Sequence, residues 1–282
     1  MSEEVCEKDI LKIGMVNFIN TSPILVPWKK DKAPHNFKLI EDIPTKLNYM
    51  LKEGSIDMGL VSSFAYAQMA KDSILLPDIG ISATGAVQSV LLLSRIPVEE
   101  LDNQLVVLTK QSATSVNLLK IVLEEFFHIY PKYEVGTFDS LKKDSTKKAY
   151  LAIGDEALFL ARNLSNYYIL DLAQIWLDKT GLPFVFAVMA LRKSIISQKS
   201  SIICDFWYFL KKMVARGQMS LDTISEKVCH RIPMSKMDTI NYLRDIEFDL
   251  SFKKQEGLKL FFKYLAQKEI ISPIKKIEFF KI

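Results

Sequence analysis

The 282-residue sequence is poor in the residues that most often carry enzyme chemistry. It has three cysteines, Cys6, Cys204 and Cys229, and three histidines, His35, His128 and His230. Three widely separated thiols make neither a disulfide framework nor a C-x-x-C site, which fits a reducing compartment. No histidine has a partner at metal-ligand spacing, so no metal is expected. No run of 18 apolar residues exists to span a membrane. The opening MSEEVCEKDILKIGMV carries acids early and lacks the apolar core of a secretory signal, so the expectation is a cytoplasmic protein without a membrane partner. Walker A, G-x-G-x-x-G and G-x-S-x-G patterns are missing, which removes the phosphate loop, the dinucleotide fingerprint and the nucleophile elbow. Charge of one sign is also missing. Thirty-seven basic residues against 33 acidic leave a net charge of +4, too little to support a nucleic-acid partner. Lysines gather at Lys142, Lys143, Lys147 and Lys148 and again at Lys275 and Lys276, where a solvated face is the ordinary explanation.

What the chain does have is the composition of a globular protein with a real core, 49% hydrophobic and 25% charged. Residues 12–18 (KIGMVNF) predict a strand, and Pro23 suits the first turn of a helix capped by Thr21 or Ser22. A second strand is expected at 37–41, then a helix ended by Gly54, a third strand at 57–61 and a helix at 64–70. Strands follow at 74–81 and 87–94. A new unit opens with a strand at 104–108 and a loop at 110–115. Its helix at 116–127 carries Leu118, Leu119, Val122, Leu123 and Phe126 at helical spacing. Further strands are expected at 133–138, 149–153, 167–172 and 185–191. From 194 onward the pattern is amphipathic helix, punctuated by Pro233 and Gly257. Alternating strands and helices predict an α/β protein with a mostly parallel sheet. A unit at 95–185, inserted between 1–94 and 186–282, would make two lobes with a cleft between them, a usual place for a small ligand.

Local pattern leaves two explanations open for each polar candidate. Asn17 and Asn20 follow the first strand; an asparagine amide there can bond a ligand carboxylate or hydroxyl, or form an Asx turn or cap. Ser112-Ala113-Thr114-Ser115 precedes a helix, where hydroxyls and free N–H groups make an anion site or simply a cap. Ser89 lies inside an apolar run, its hydroxyl either bonded to backbone or turned into a cleft. Gly154-Asp155 sits at a strand-to-helix junction, where Asp155 can cap the helix or serve as a general acid or base. The pairs Glu99-Glu100 and Glu124-Glu125 are expected on solvated faces.

Six blocks, taken in order, add a resemblance: VNFINTSPI, DMGLVSS, ISATGAVQSVLLLS, SATSVNLL, LAIGDEAL and DLAQIWLDKTGLPFVFA. Together they resemble the chorismate dehydratase family of the futalosine route to menaquinone, over about residues 12–192. The resemblance implies a two-lobed periplasmic-binding-protein type II fold with a central ligand cleft, used as a cytoplasmic enzyme. It implies conversion of chorismate to 3-[(1-carboxyvinyl)oxy]benzoate and water, with no metal or organic cofactor. By motif, Asn20 and Ser89 would be the catalytic polar groups. Thr114 and Ser115 would hold a carboxylate, Gly154 and Asp155 would line the cleft, and Ser62 and Gly85 would join the substrate-binding set. The turn ending at Phe184 would form the hinge-side wall. Met189 stands where the family commonly has tryptophan. Two alternatives of the same fold compete: a non-catalytic cytoplasmic binding protein for a small aromatic or carboxylate ligand, and the dihydroxynaphthoate synthase of the same route. The blocks SATSV and TGLPFVFA resemble the dehydratase. Oligomeric state is not legible in the sequence.

Overall fold

The computed structural model describes residues 10–31, 33–232 and 234–282, so Cys6 and the break expected at Pro233 lie outside the described residues. The strands are β1 (Leu11–Met15), β2 (Phe37–Glu41), β3 (Met58–Ser62), β4 (Ser73–Ala83), β5 (Val90–Ser94), β6 (Leu105–Leu108), β7 (Lys132–Val135), β8 (Lys147–Ile153), β9 (Tyr168–Asp171) and β10 (Phe184–Arg192). The first half contributes helices α1 (Ser22–Lys30), α2 (Pro44–Glu53), α3 (Ser63–Met69), α4 (Ala113–Ile121), α5 (Phe138–Lys143), α6 (Gly154–Asn163) and α7 (Leu172–Thr180). The C-terminal third contributes α8 (Ile196–Met219), α9 (Leu221–Val228), α10 (Lys236–Asp245) and α11 (Phe252–Gln267).

Two five-stranded sheets result, ordered β2-β1-β3-β10-β4 and β7-β6-β8-β5-β9. Both are mixed, where a mostly parallel arrangement was expected. β1 runs parallel to β2 and β3, and β6 parallel to β7 and β8. β10 is antiparallel to β3 and β4, and β5 is antiparallel to β8 and β9. The cause is the chain path. β5 carries the chain into the second sheet and β10 carries it back, so each enters against the direction of its neighbours. Strand 87–94, grouped from sequence with residues 1–94, therefore belongs with the second sheet: Val90 faces Ile153 and Ser94 faces Ala149. The hydrophobic run in β5 is buried throughout because it is a central strand covered on both faces.

Local chemistry sets the element ends. Gly54 ends α2 in the left-handed conformation with φ +86°. Ser112 caps α4 by accepting the Ser115 N–H at 3.1 Å, and Asp171 caps α7 through the Ala173 and Gln174 amides. The strand expected at 133–138 stops at Val135, because Thr137 and Ser140 form a reciprocal capping box that starts α5 instead. Lys147, expected on a solvated face, is buried at the start of β8 and pairs with Glu134 at 2.7 Å. Glu124 and Glu125 are likewise not free solvated acids: Lys268, just beyond α11, reaches them at 2.7 and 2.6 Å.

The C-terminal third binds the two sheets into one body. α8 packs on α1, and α11 packs on β10, α3 and α4. The outer edge of β4 is covered rather than left open to pairing: Glu247 and Phe248 bond Ser82 and Gly80, and Leu75 exchanges backbone bonds with Glu278 and Phe280. Gly257 is required by packing. A Cβ there would collide with the Pro183 carbonyl, at the turn that returns the chain to the first sheet. Gly257→Ala is therefore expected to lower unfolding stability by about 2 kcal/mol, measured as a shift in the urea midpoint at unchanged slope.

Candidate active site

A cavity of about 210 Å³ lies where the two sheets meet. Its wall is built from the chain just beyond β1, β3, β6 and β8, the carboxyl ends of the parallel strands, where open α/β folds place ligands. The first sheet presents Asn20, Asn48, Ser62 and Phe186, and the second presents Ser89, Lys110, Thr114 and Gly154. Lys110 is the one ionisable side chain among the described lining residues. Three helices of nine or more residues begin on this wall: α2 at Pro44 and Thr45, α4 at residues 112–115 and α6 at Gly154. Their dipoles favour a negative ligand. Among the described residues, no three His, Cys, Asp or Glu side chains gather as metal ligands.

Six of the nine residues expected at the site line this cavity: Asn20, Ser62, Ser89, Thr114, Ser115 and Gly154. Asn20 sits in a tight 3-10 turn, Ile19–Thr21, that follows β1. Thr21 holds the turn by donating to the Val16 and Phe18 carbonyls, both at 2.8 Å, and so does not cap α1 with its side chain. The Asn20 Oδ1 atom is buried with no hydrogen-bond partner. Ser62 caps α3, and the Thr114 hydroxyl accepts the Phe64 N–H at 2.9 Å across the two lobes. Gly154 starts α6 with φ +58°, a conformation natural to glycine, and its N–H donates to the Ser89 carbonyl at 2.7 Å.

Three expected residues lie elsewhere. Gly85 belongs to the crossing between sheets, against the Gln174 side chain. Phe184 is fully buried in an aromatic cluster with Trp176, Phe186 and Phe261 at 4.8–5.2 Å between ring centroids. A register shift between Val185 and Ala187 turns Phe186 and Ala187 to the cavity in its place. Asp155 is off the wall and is not a cap, since Ile153 holds that position. Its Oδ1 accepts the Ile19 N–H at 3.3 Å and its Oδ2 lies 3.7 Å from the Arg231 guanidinium. Burial pushes its carboxyl above the usual range against those two partners.

Sequence reading missed the residues that hold the wall in place. Asn48, on the second turn of α2, lines the cavity with its Oδ1 buried and unpartnered. Tyr242 of α10 is buried beside Ser89. Burial raises its phenol well above the ordinary value. Gln88 takes the left-handed conformation with φ +60°, held by its N–H on Asp171 at 2.6 Å and its amide on Asp245 at 3.1 Å. The Asp171 carboxyl is raised by burial even though it accepts three backbone N–H groups, from Gln88, Ala173 and Gln174. That carboxylate, serving two segments at once, fixes where Ser89 points.

A family model for menaquinone biosynthesis matches residues 11–267. The chain belongs to the menaquinone biosynthesis family. It is 28% identical over 263 residues to a chorismate dehydratase of Thermus thermophilus, covering 88% of this chain and 93% of that one. It is 33% identical over 178 residues to a chorismate dehydratase of Campylobacter jejuni, covering 62% and 64%. In solved structures the fold recurs in a protein of Archaeoglobus fulgidus, with TM-score 0.78, 14% identity and coverage of 94% and 100%. It recurs also in the periplasmic aliphatic sulphonate binding protein of Escherichia coli, with TM-score 0.68, 12% identity and coverage of 97% and 94%. The two-lobed periplasmic-binding-protein architecture is thus the fold of this menaquinone biosynthesis protein. Met189, the departure noted in the sequence, is fully buried in β10 and off the cavity wall.

The unpartnered asparagine oxygens carry a stability consequence. A buried acceptor without a donor destabilises the ligand-free state. Asn48→Leu, similar in size and without that oxygen, is expected to raise ligand-free stability by about 1 kcal/mol, read by thermal unfolding. A loss of that size would contradict the view that Asn48 is held ready for a ligand.

Proposed function

We propose that the protein is a chorismate dehydratase, a hydro-lyase converting chorismate to 3-[(1-carboxyvinyl)oxy]benzoate and water in the cytoplasmic futalosine route to menaquinone. The observation that carries this reading is the wall of the cavity: uncharged amide and hydroxyl groups and three helix N-termini, with Lys110 as the one ionisable side chain among the described lining residues. Chorismate is a dianion, and such a wall can bind two carboxylates without a buried ion pair.

The chemistry asks little of the protein as a base. The C–H bond at the ring carbon bearing the ether breaks, the neighbouring C–OH bond breaks, and the ring gains aromaticity as water leaves. What the site must do is fix the two carboxylates, align the leaving hydroxyl and suppress competing rearrangements. In this reading Thr114, Ser115 and the first turn of α4 hold a carboxylate. Asn20 and Ser89 hydrogen-bond the hydroxyl that departs, and the substrate's own side-chain carboxylate accepts the ring proton. Asp155 supports that assignment of the base: its carboxylate is turned to Ile19 and Arg231 and is absent from the wall.

Incubation of the pure protein with chorismate is expected to yield the aromatic enolpyruvyl product and one equivalent of water. Tight binding without product would favour the binding-protein alternative. Asn20→Ala and Ser89→Ala are each expected to lower kcat about 10²-fold. Asp155→Asn, which keeps an acceptor for the Ile19 amide, is expected to retain turnover within about tenfold of the native rate. Abolished turnover in a folded, chorismate-binding Asp155→Asn protein would make Asp155 the base.

A further inference from the structure

Asn20 and Ser89 come from different lobes, and neither is placed by its own element alone. Gly154 and Asp155, the first two residues of α6, bond to Ser89 and to the residue before Asn20. The Gly154 N–H donates to the Ser89 carbonyl at 2.7 Å. The Asp155 carboxylate accepts the N–H of Ile19, the residue before Asn20, at 3.3 Å. A third segment closes the arrangement. Arg231, in the short 3-10 turn Cys229–Arg231 after α9, donates to the Asn17 carbonyl at 2.7 Å and to the Asn17 side-chain oxygen at 3.0 Å. The same guanidinium lies 3.7 Å from Asp155. The segment from Asn17 to Ile19 is therefore held at both ends, by an arginine fork and by a carboxylate, immediately before Asn20.

We propose that Arg231 and Asp155 form a clasp between the lobes that positions Asn20 opposite Ser89. The two are positioning residues: neither side chain lies on the cavity wall, and each acts through the backbone of 17–19. The arginine matters for its shape as well as its charge, since it bonds a carbonyl and an amide oxygen on one residue while facing a carboxylate. The Asp155 and Arg231 side chains keep about a third of their surface exposed, at 32% and 30%. Lobe opening can therefore separate them without burying a lone charge. The clasp also accounts for Asn17, whose side chain is spent on Arg231 rather than on a ligand.

The catalytic half of this inference rests on the dehydratase reading; the structural half does not. The test is steady-state turnover of chorismate by Arg231→Ala, Arg231→Lys, Asn20→Ala and the double variant Arg231→Ala/Asn20→Ala, with melting curves as a control for folding. Arg231→Ala is expected to lower kcat on the order of 10²-fold, the loss typical of a misplaced reacting group. In the Asn20→Ala background the same change is expected to matter by only about twofold, because the group being positioned is already gone. Arg231→Lys is expected to recover about tenfold of the loss, since it keeps the charge without the fork. Equal losses in both backgrounds, or a rise in KM alone, would overturn the positioning role. Small-angle scattering of ligand-free Asp155→Ala supplies a readout independent of activity. A larger radius of gyration than the native protein is expected, and an unchanged one overturns the clasp between lobes. If the native protein makes no product from chorismate, the dehydratase reading fails and the scattering result alone decides the clasp.

Discussion

The account depends on one constraint: a small anion has to be held where two sheets meet, by groups that carry almost no formal charge. The N-termini of α2, α4 and α6 open on the cavity, and each can favour an anion by about 1 kcal/mol. Neutral donors at strand ends add direction. This arrangement tolerates an empty site better than a cluster of buried cations would, because an unoccupied helix terminus does not repel its neighbours. Its cost shows in the buried oxygens of Asn20 and Asn48, left without partners.

The fold serves that constraint through its two crossings. The chain leaves the first sheet after Ala83, enters the second at Val90 and returns through Phe184. Ser89 stands at one crossing, and Phe186 and Ala187 stand just past the other, so part of the cavity wall is made of the segments that join the lobes. Gln88 occupies the left-handed region, where a side-chain residue is costly, and Asp171 and Asp245 hold it. The half-buried carboxylate of Asp171 is thus a structural element of the site, even though it never reaches the cavity.

Much of this was legible in the sequence, and what was illegible has a physical reason. Asn20, Thr114, Ser115 and Gly154 stood out as candidates because small hydroxyl, amide and glycine residues at strand-to-helix junctions leave a local pattern, and the family resemblance, not the pattern, set them and Ser62 at the site. Asp155 shared that pattern, yet it neither caps α6 nor lines the cavity, because the left-handed Gly154 starts the helix one residue early. Phe184 was displaced by a register shift that no periodicity reveals. Asp171 and Arg231 act across 83 and 214 residues of chain, at distances where sequence carries no spacing signal. The capping box at Thr137 was readable in principle, since a Thr three residues before a Ser can mark a helix start; Lys147 was not, because β8 is buried at nearly every position and shows no alternation.

The central claim is that neutral donors and helix termini in this cavity hold both carboxylates of the ligand. A crystal structure with 3-[(1-carboxyvinyl)oxy]benzoate bound tests it most directly. The account requires one carboxylate within hydrogen-bond distance of the first turn of α4, and the ring between Asn20 and Ser89. A ligand seated outside the cavity, or one whose carboxylates meet only lysine ammonium groups, would contradict it.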